Sequence, residues 1–175
     1  MNGPMQAINS RVFLYEYELG SLLISGNEES VESILFLKAD DEVRRGSFEP
    51  AAHATGAVQQ CMKQLDEYFE GKRKIFDFPF HQAGTDFQQS VWNELVKIPY
   101  GQSISYLELS KRLGNPKAIR AVGTANGKNQ LAIVVPCHRV IGSNGSLVGY
   151  GGELWRKKWL LAHEAKWAHG VQILF

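Results

Sequence analysis

At 175 residues, with 44% hydrophobic and 21% charged side chains, the chain has the make-up of an ordinary globular protein of one domain or two small ones, long enough to bury a real core. No apolar run approaches the ~20 residues that cross a bilayer, and Met1 to Ser10 lack the charged and apolar regions of a secretory signal, so no membrane partner and a cytoplasmic or nuclear address are expected. Only two cysteines, Cys61 and Cys137, and five scattered histidines are present; this pattern excludes a disulfide framework and offers no zinc-ligand spacing, so neither metal nor cofactor is expected.

The net charge of +1 hides an asymmetry. Residues 1–84 carry 8 Lys+Arg against 13 Asp+Glu, whereas residues 85–175 carry 11 against 5. A basic second half suits a polyanion, although a charge excess of this size also suits a plain solvated face.

In chain order, residues 11–17 (RVFLYEY) predict a strand, 19–21 a turn and 22–26 a second strand, together a hairpin. Residues 31–38 alternate enough for a third strand, and 40–50 are polar and turn-prone. Between Ala54 and Gly71, Val58, Cys61, Met62, Leu65, Tyr68 and Phe69 recur at helical spacing, which places Cys61 on a buried stripe with no chemistry. Residues 76–80 read as an extended connector that ends at a helix cap near Thr85, and a domain boundary is expected between 84 and 85. A helix over 87–98 should bury Phe87, Val91, Trp92, Leu95 and Ile98 before Pro99-Tyr100-Gly101 stops it.

Two short helices follow, 105–113 and 117–125, separated by Gly114-Asn115-Pro116, with Pro116 suited to open the second. Such a pair in a basic half has the form of a helix-turn-helix. The second helix is slim, with Ala118, Ala121, Val122, Gly123, Thr124 and Ala125 around a single Arg120. It fits a narrow groove better than a base-reading face, and tight packing in a core would equally favour small residues. Residues 126–129 read as a polar turn, and the apolar run 131–134 leads to Val135-Pro136-Cys137-His138-Arg139-Val140. There a thiol, an imidazole and a guanidinium adjoin: Cys137 is a candidate activated nucleophile or a buried small hydrophobe at the end of a strand. A glycine-dense loop (Gly142, Gly145, Gly149, Gly151, Gly152) and a last helix over 156–165 complete the chain.

These residues carry a resemblance. Gly101-Gln102, Ser105-Tyr106, Gly114-Asn115-Pro116, Arg120-Ala121-Val122-Gly123, Asn129, Val135 to Val140, Gly145, Tyr150, Gly152 and the run from Trp159 to Glu164 resemble, in order and spacing, the O6-alkylguanine-DNA alkyltransferase family over roughly residues 85–165. The resemblance implies an α+β protein. Its small N-terminal α/β (RNase H-like) domain, residues 1–84, would be followed by a mostly helical C-terminal domain, 85–175, with a winged helix-turn-helix. It implies single-turnover transfer of an alkyl group from O6-alkylguanine, and from O4-alkylthymine, in double-stranded DNA to Cys137, by a protein bound in the minor groove. A monomer is expected, since a one-site lesion binder needs no two-fold symmetry, and a prokaryotic cytoplasm is expected over a nucleus. His138 would take the thiol proton through a water, Glu164 would polarise His138, Tyr106 would donate toward the base and Asn129 would brace the turn. Arg120 would enter the stack in place of a flipped nucleotide, with Tyr106, Leu107, Asn115 and Ser143 contacting DNA and Val148, Tyr150, Gly151 and Gly152 forming the substrate pocket.

Asn126 and Ala132 stand where animal members carry methionine and proline, and Gly151 where they carry serine, so the pocket's width is its own. Arg139 is expected as a structural ion-pair residue. Two other functions share parts of this pattern. A non-catalytic damage binder would lack Cys137; a thiol hydrolase built on Cys137-His138 would leave the helical pair and Arg120 without a purpose.

Overall fold

The computed structural model describes residues 10–38 and 47–170, so most of the polar stretch expected to turn over residues 40–50 lies outside the described residues. The first half is built on a four-stranded sheet. Strands β1 (Arg11–Tyr15), β2 (Leu22–Gly26) and β3 (Val31–Phe36) form an antiparallel meander, and a two-residue β4 (Glu49–Pro50) lies parallel to β1, giving the order β3-β2-β1-β4. The pleat sends alternate side chains to opposite faces. Phe13, Tyr15, Leu22, Ile24, Ile34 and Phe36 are therefore buried together. Helix α1 (Gly56–Phe69) presents the predicted stripe, including a fully buried Cys61, to that core. Each such side chain contributes roughly 1.5–3 kcal/mol of burial.

The first and third strands end two residues earlier than their apolar content suggests. β4 was not predicted, because a proline beside a polar run reads as turn; as the last residue of an edge strand, Pro50 forfeits no bond the sheet needs.

Helix α2 (Asp86–Val96) opens with a capping box in which Thr85 and Gln88 satisfy each other's backbone amides. It buries Val91, Trp92 and Leu95. Phe87, expected on the same face, is 41% exposed, since position 87 falls in the first turn, ahead of the contact with the core. Two-residue β5 (Ile104–Ser105) leads into α3 (Tyr106–Arg112), capped by the Ser105 hydroxyl on the Glu108 amide at 3.0 Å.

The second helix of the pair, α4, spans Ile119–Gly127 and not 117–125. Asn115 starts a turn that takes in Pro116 and Lys117, with the Asn115 carbonyl bound to the Ala118 amide at 3.0 Å, so Pro116 precedes the helix and does not open it. The helix also runs through Asn126 and Gly127, whose composition predicts a turn, and Asn126 is buried.

The apolar run before Cys137 is not a strand. Only Leu131 makes a β-bridge, to Ile34, and the chain then coils through Ile133, whose φ of 73° is rare for a β-branched residue. Cys137–Arg139 form a single 3-10 turn. β6 (Val140–Ile141) pairs in parallel with β5, so the expected wing is this short pair and the loop after it. Helix α5 (Leu154–His169) closes the described chain.

The two halves share one core. The free edge of β3 is covered by the segment that precedes Cys137: the Ile34 amide donates to the Gln130 carbonyl at 2.7 Å and the Ala132 amide to the Ile34 carbonyl at 3.0 Å. The connector fills the next place on that edge, with the Val31 amide on the Pro79 carbonyl and the His81 amide on the Val31 carbonyl. An edge strand left bare would invite other chains; here it positions the candidate nucleophile.

Candidate active site

Cys137 is buried, at 7% exposure, and lines a cavity of about 350 Å³. Its sulfur accepts a hydrogen bond from Asn129 Nδ2 at 3.2 Å. The same nitrogen holds the Val135 carbonyl at 2.8 Å, and Asn129 Oδ1 accepts from the Leu131 amide at 3.0 Å and from Gln82 Nε2 at 3.1 Å. Asn129 thus fixes the coiled segment and also touches the Cys137 sulfur. Burial pushes the Cys137 thiol up from its ordinary value, while the Asn129 donor and the nearby Lys157 ammonium pull the other way.

Next to it, His138 and Glu164 pair through Nε2 and Oε1 at 2.7 Å with both side chains buried. Three further donors converge on that carboxylate. Arg139 binds it in a fork, Nε to Oε2 at 2.8 Å and Nη2 to Oε1 at 2.9 Å, the Tyr68 hydroxyl donates to Oε1 at 2.8 Å, and the Gly101 amide to Oε2 at 3.1 Å. Gly101 has a φ of 76°, and a Cβ there would come within 2.4 Å of Ala168, so only glycine serves. Burial alone would raise the Glu164 pKa, but His138 and Arg139 override it and hold the carboxyl well below the usual range. Burial lowers the His138 pKa, and because Arg139 already balances Glu164, the pair's single negative charge does not hold a second cation. His138 is therefore neutral at pH 7, with Nδ1 bonded to no described group.

Both shifts make the unfolded chain the better proton binder in acid. Stability should fall as pH drops below about 6.5, the unfolded value for histidine, and fall again below about 4.3, that for glutamate. The thermal midpoint at pH 8, 7, 5.5 and 4 checks this; a midpoint that holds from pH 7 to 5.5 would contradict the lowered pKa of His138.

The cavity walls come from three places: Asn126 and Asn129 flank Cys137, Tyr150 with Gly149, Gly151 and Gly152 form the loop side, and Leu23, Leu35 and Phe36 come from the sheet. Gly152 packs so closely that a Cβ would come within 2.6 Å of the Phe36 ring. Val148, expected in the pocket, does not line it. Its side chain is 44% exposed, and its carbonyl serves as an acceptor for Lys157 Nζ at 2.8 Å and the Tyr106 hydroxyl at 3.3 Å. Tyr106 stands at that rim rather than inside, with its ring 5.8 Å from the Lys157 ammonium.

Lys157 is fully buried and also donates to the Val140 carbonyl at 2.7 Å, so it ties the loop to β6; burial pushes its pKa down to about 8. Of the residues expected to meet DNA, Arg120, Asn115 and Ser143 are exposed and Leu107 is half-buried. Among the described residues Arg120 makes no ion pair.

Sequence reasoning missed Tyr68, Lys157 and the sheet side of the cavity, and did not connect Arg139 to Glu164. For Lys157 a signal existed: 157, 160, 161 and 164 fall on one helical face, which puts a lysine in line with Leu160, Leu161 and Glu164. The sheet contribution depends on tertiary packing and has no local signature.

A buried thiol with a neutral imidazole held by a carboxylate, beside a cavity and two short helices, defines a thiol group-transfer protein. The comparisons make that class specific. The ribonuclease-like domain of 6-O-methylguanine DNA methyltransferase matches residues 11–82 and the DNA binding domain of the same family matches residues 86–166. A methylated-DNA–protein-cysteine methyltransferase of Methanosarcina acetivorans is 42% identical over 151 residues, covering 86% of this chain and 96% of that protein. The constitutive methyltransferase of Bacillus subtilis is 47% identical over 139 residues, covering 78% and 84%. Among solved structures, the O6-methylguanine methyltransferase of Mycobacterium tuberculosis superposes with a TM-score of 0.79 at 40% identity, over 90% of this chain and 94% of that one. The same protein has been solved in complex with DNA, with a TM-score of 0.78 over 89% and 93%. The chain belongs to the O6-alkylguanine-DNA alkyltransferase family, whose N-terminal mixed α/β domain and helical DNA-binding domain it carries.

Proposed function

We propose that Cys137 is the acceptor to which this alkyltransferase moves an alkyl group from O6 of guanine in double-stranded DNA, once per molecule. The observation that carries the reading is the thiol of Cys137, a residue of the cavity wall, bonded by Asn129 and adjacent to the His138–Glu164 pair. The thiol proton passes through a water to His138 Nδ1, the thiolate attacks the alkyl carbon, and the carbon–oxygen electron pair leaves with guanine, which takes up a proton. Glu164, kept ionised by Arg139, stabilises the imidazolium that forms. Lys157 favours the thiolate, and the Tyr106 phenol at the rim donates toward the base as it gains charge. The product is a thioether, and nothing in this sequence of steps restores the thiol.

A base in a duplex cannot reach a buried sulfur without leaving the stack, which costs a few kcal/mol. We assign Arg120 the vacated place, with the small side chains of α4 in the minor groove and Leu107, Asn115 and Ser143 on the DNA. Residues 1–84 then form the supporting domain and 85–175 the reacting one, acting as a monomer in the cytoplasm, where free Cys61 and Cys137 stay reduced. O4-alkylthymine, which presents the same alkyl–oxygen bond, is the second substrate.

Transfer of labelled methyl from excess O6-methylguanine duplex should stop at one equivalent per protein; continued turnover would contradict the reading. Arg120→Ala should slow duplex repair by about 100-fold, equivalent to a few kcal/mol of flipping cost, and leave reaction with free O6-methylguanine base unchanged. Equal slowing of the two would remove Arg120 from flipping.

A further inference from the structure

Gln82, in the connector ahead of α2, reaches the Cys137 sulfur through a single intervening side chain. It is buried, at 6% exposure, and its place is set from both halves of the molecule. Its own carbonyl accepts from Gln89 Nε2 of α2 at 2.6 Å, and the neighbouring His81 amide donates to the Val31 carbonyl of β3 at 2.9 Å. Its side-chain amide bridges two consecutive residues of the segment before Cys137: Oε1 accepts from the Gln130 amide at 2.9 Å, and Nε2 donates to Asn129 Oδ1 at 3.1 Å.

The order of donors and acceptors along this chain is forced. A backbone N–H only donates, so the Gln130 amide fixes which end of the Gln82 side chain is oxygen, and the amino end then faces Asn129. At Asn129 the Leu131 amide requires the oxygen on that same side, at 3.0 Å, and the Val135 carbonyl requires the amino group on the other, at 2.8 Å. One hydrogen of Nδ2 serves Val135. The second is left for Cys137 Sγ at 3.2 Å, with the Leu131 carbonyl at 3.4 Å the weaker competitor. Hydrogen bonds in a chain polarise one another, so an amide whose oxygen accepts twice presents more strongly positive N–H hydrogens. Burial opposes the thiolate, and the Asn129 donor is the largest influence on the other side.

We propose that Gln82 is a positioning residue for alkyl transfer, which holds and polarises Asn129 so that an Nδ2 hydrogen stays fixed on the Cys137 sulfur as the thiolate forms. The inference rests on Cys137 being the alkyl acceptor. Gln82 touches neither the sulfur nor the cavity and acts through Asn129 alone. The connector between the two halves thereby becomes part of the reacting machinery.

Two substitutions separate this role from packing. Gln82→Met keeps the length of the side chain and removes both of its amide bonds. Gln82→Glu keeps the shape and the oxygen that accepts from Gln130, and exchanges the amino group facing Asn129 for a negatively charged acceptor. The other ionisable groups that face the sulfur, His138 on the same turn, Lys157 of α5, Tyr106 of α3 and Tyr150 of the loop, are the same in all three proteins. The Cys137 thiolate is titrated by its ultraviolet absorbance, with Cys137→Ala as the blank, and single-turnover transfer from an O6-methylguanine duplex is followed over the same pH range. In Gln82→Met the thiol should titrate about half a pH unit higher, and transfer at pH 7 should be about threefold slower, with the gap closing as the pH passes the titration. In Gln82→Glu the thiol should titrate higher still, by about one pH unit, because a charge of the same sign now lies behind Asn129. Either variant decides the matter if the other does not fold. A thiol titration unmoved in the folded variants, with a loss of rate equal at every pH, is what packing alone gives; it would overturn the assignment while leaving Cys137 as the acceptor. No methyl transfer by the wild type at any pH would overturn both readings.

Discussion

Glu164→Ala should lower folding stability by about 3–5 kcal/mol, the scale for breaking a buried ion pair by removing one partner. The carboxylate accepts from Arg139, Tyr68 and the Gly101 amide and pairs with His138, all within 3.1 Å. Removing it leaves the Arg139 guanidinium, only 6% exposed at its side chain, with the Ile98 carbonyl at 2.6 Å as its remaining bond among those described. That charge is then buried without a counter-ion, and three other donors lose their acceptor. Urea unfolding at pH 7 measures the effect; a loss under about 1 kcal/mol would mean that the network is dispensable. The double variant Arg139→Met with Glu164→Leu should recover much of the stability, because it removes both charges and fills the space, yet remain slow in transfer, because His138 has lost the group that orients it. The two readouts then separate folding from chemistry.

This dependence explains why so much of the site could be read from the chain and why some of it could not. The adjacent thiol and imidazole of Cys137 and His138 stand in one contiguous motif, whereas the distant Glu164 was tied to them only through the family resemblance. The sheet-facing stripe of α1 is legible from its spacing, and so is the capped start of α2 at Thr85. The readings that failed involved residues whose environment is set by chain far away in sequence. Residues 131–135 have the composition of a buried strand, but Asn129 and the edge of β3 compel them to coil, with Ile133 at positive φ. Tyr68 belongs to an apolar stripe by period, and only the arrival of α5 turns its hydroxyl toward Glu164 across 96 residues of sequence. Asn126 looked like the start of a turn because asparagine and glycine together favour one; the helix continues through both, and the amide ends up on the cavity wall. Val148, which the resemblance implies for the pocket, has its side chain 44% exposed, and its backbone carbonyl accepts from Lys157.

Cys137→Ala should abolish transfer while leaving the protein folded. The side chain removed is small, and Asn129 Nδ2 keeps the Val135 and Leu131 carbonyls when the sulfur is gone, so the coiled segment retains its brace. The expected cost is of the order of 1 kcal/mol for a buried atom lost without a polar group orphaned. Cys61 does not substitute for the missing thiol, since it is fully buried on α1 among the sheet's apolar side chains and burial pushes its pKa far up. The decisive measurement is the intact mass of wild type and Cys137→Ala after incubation with a duplex containing one O6-methylguanine. The account predicts that the wild type gains the mass of a single methylene unit, carried on the peptide that contains Cys137, and that the variant gains none. A wild type of unchanged mass, or the same gain in the variant, would contradict it.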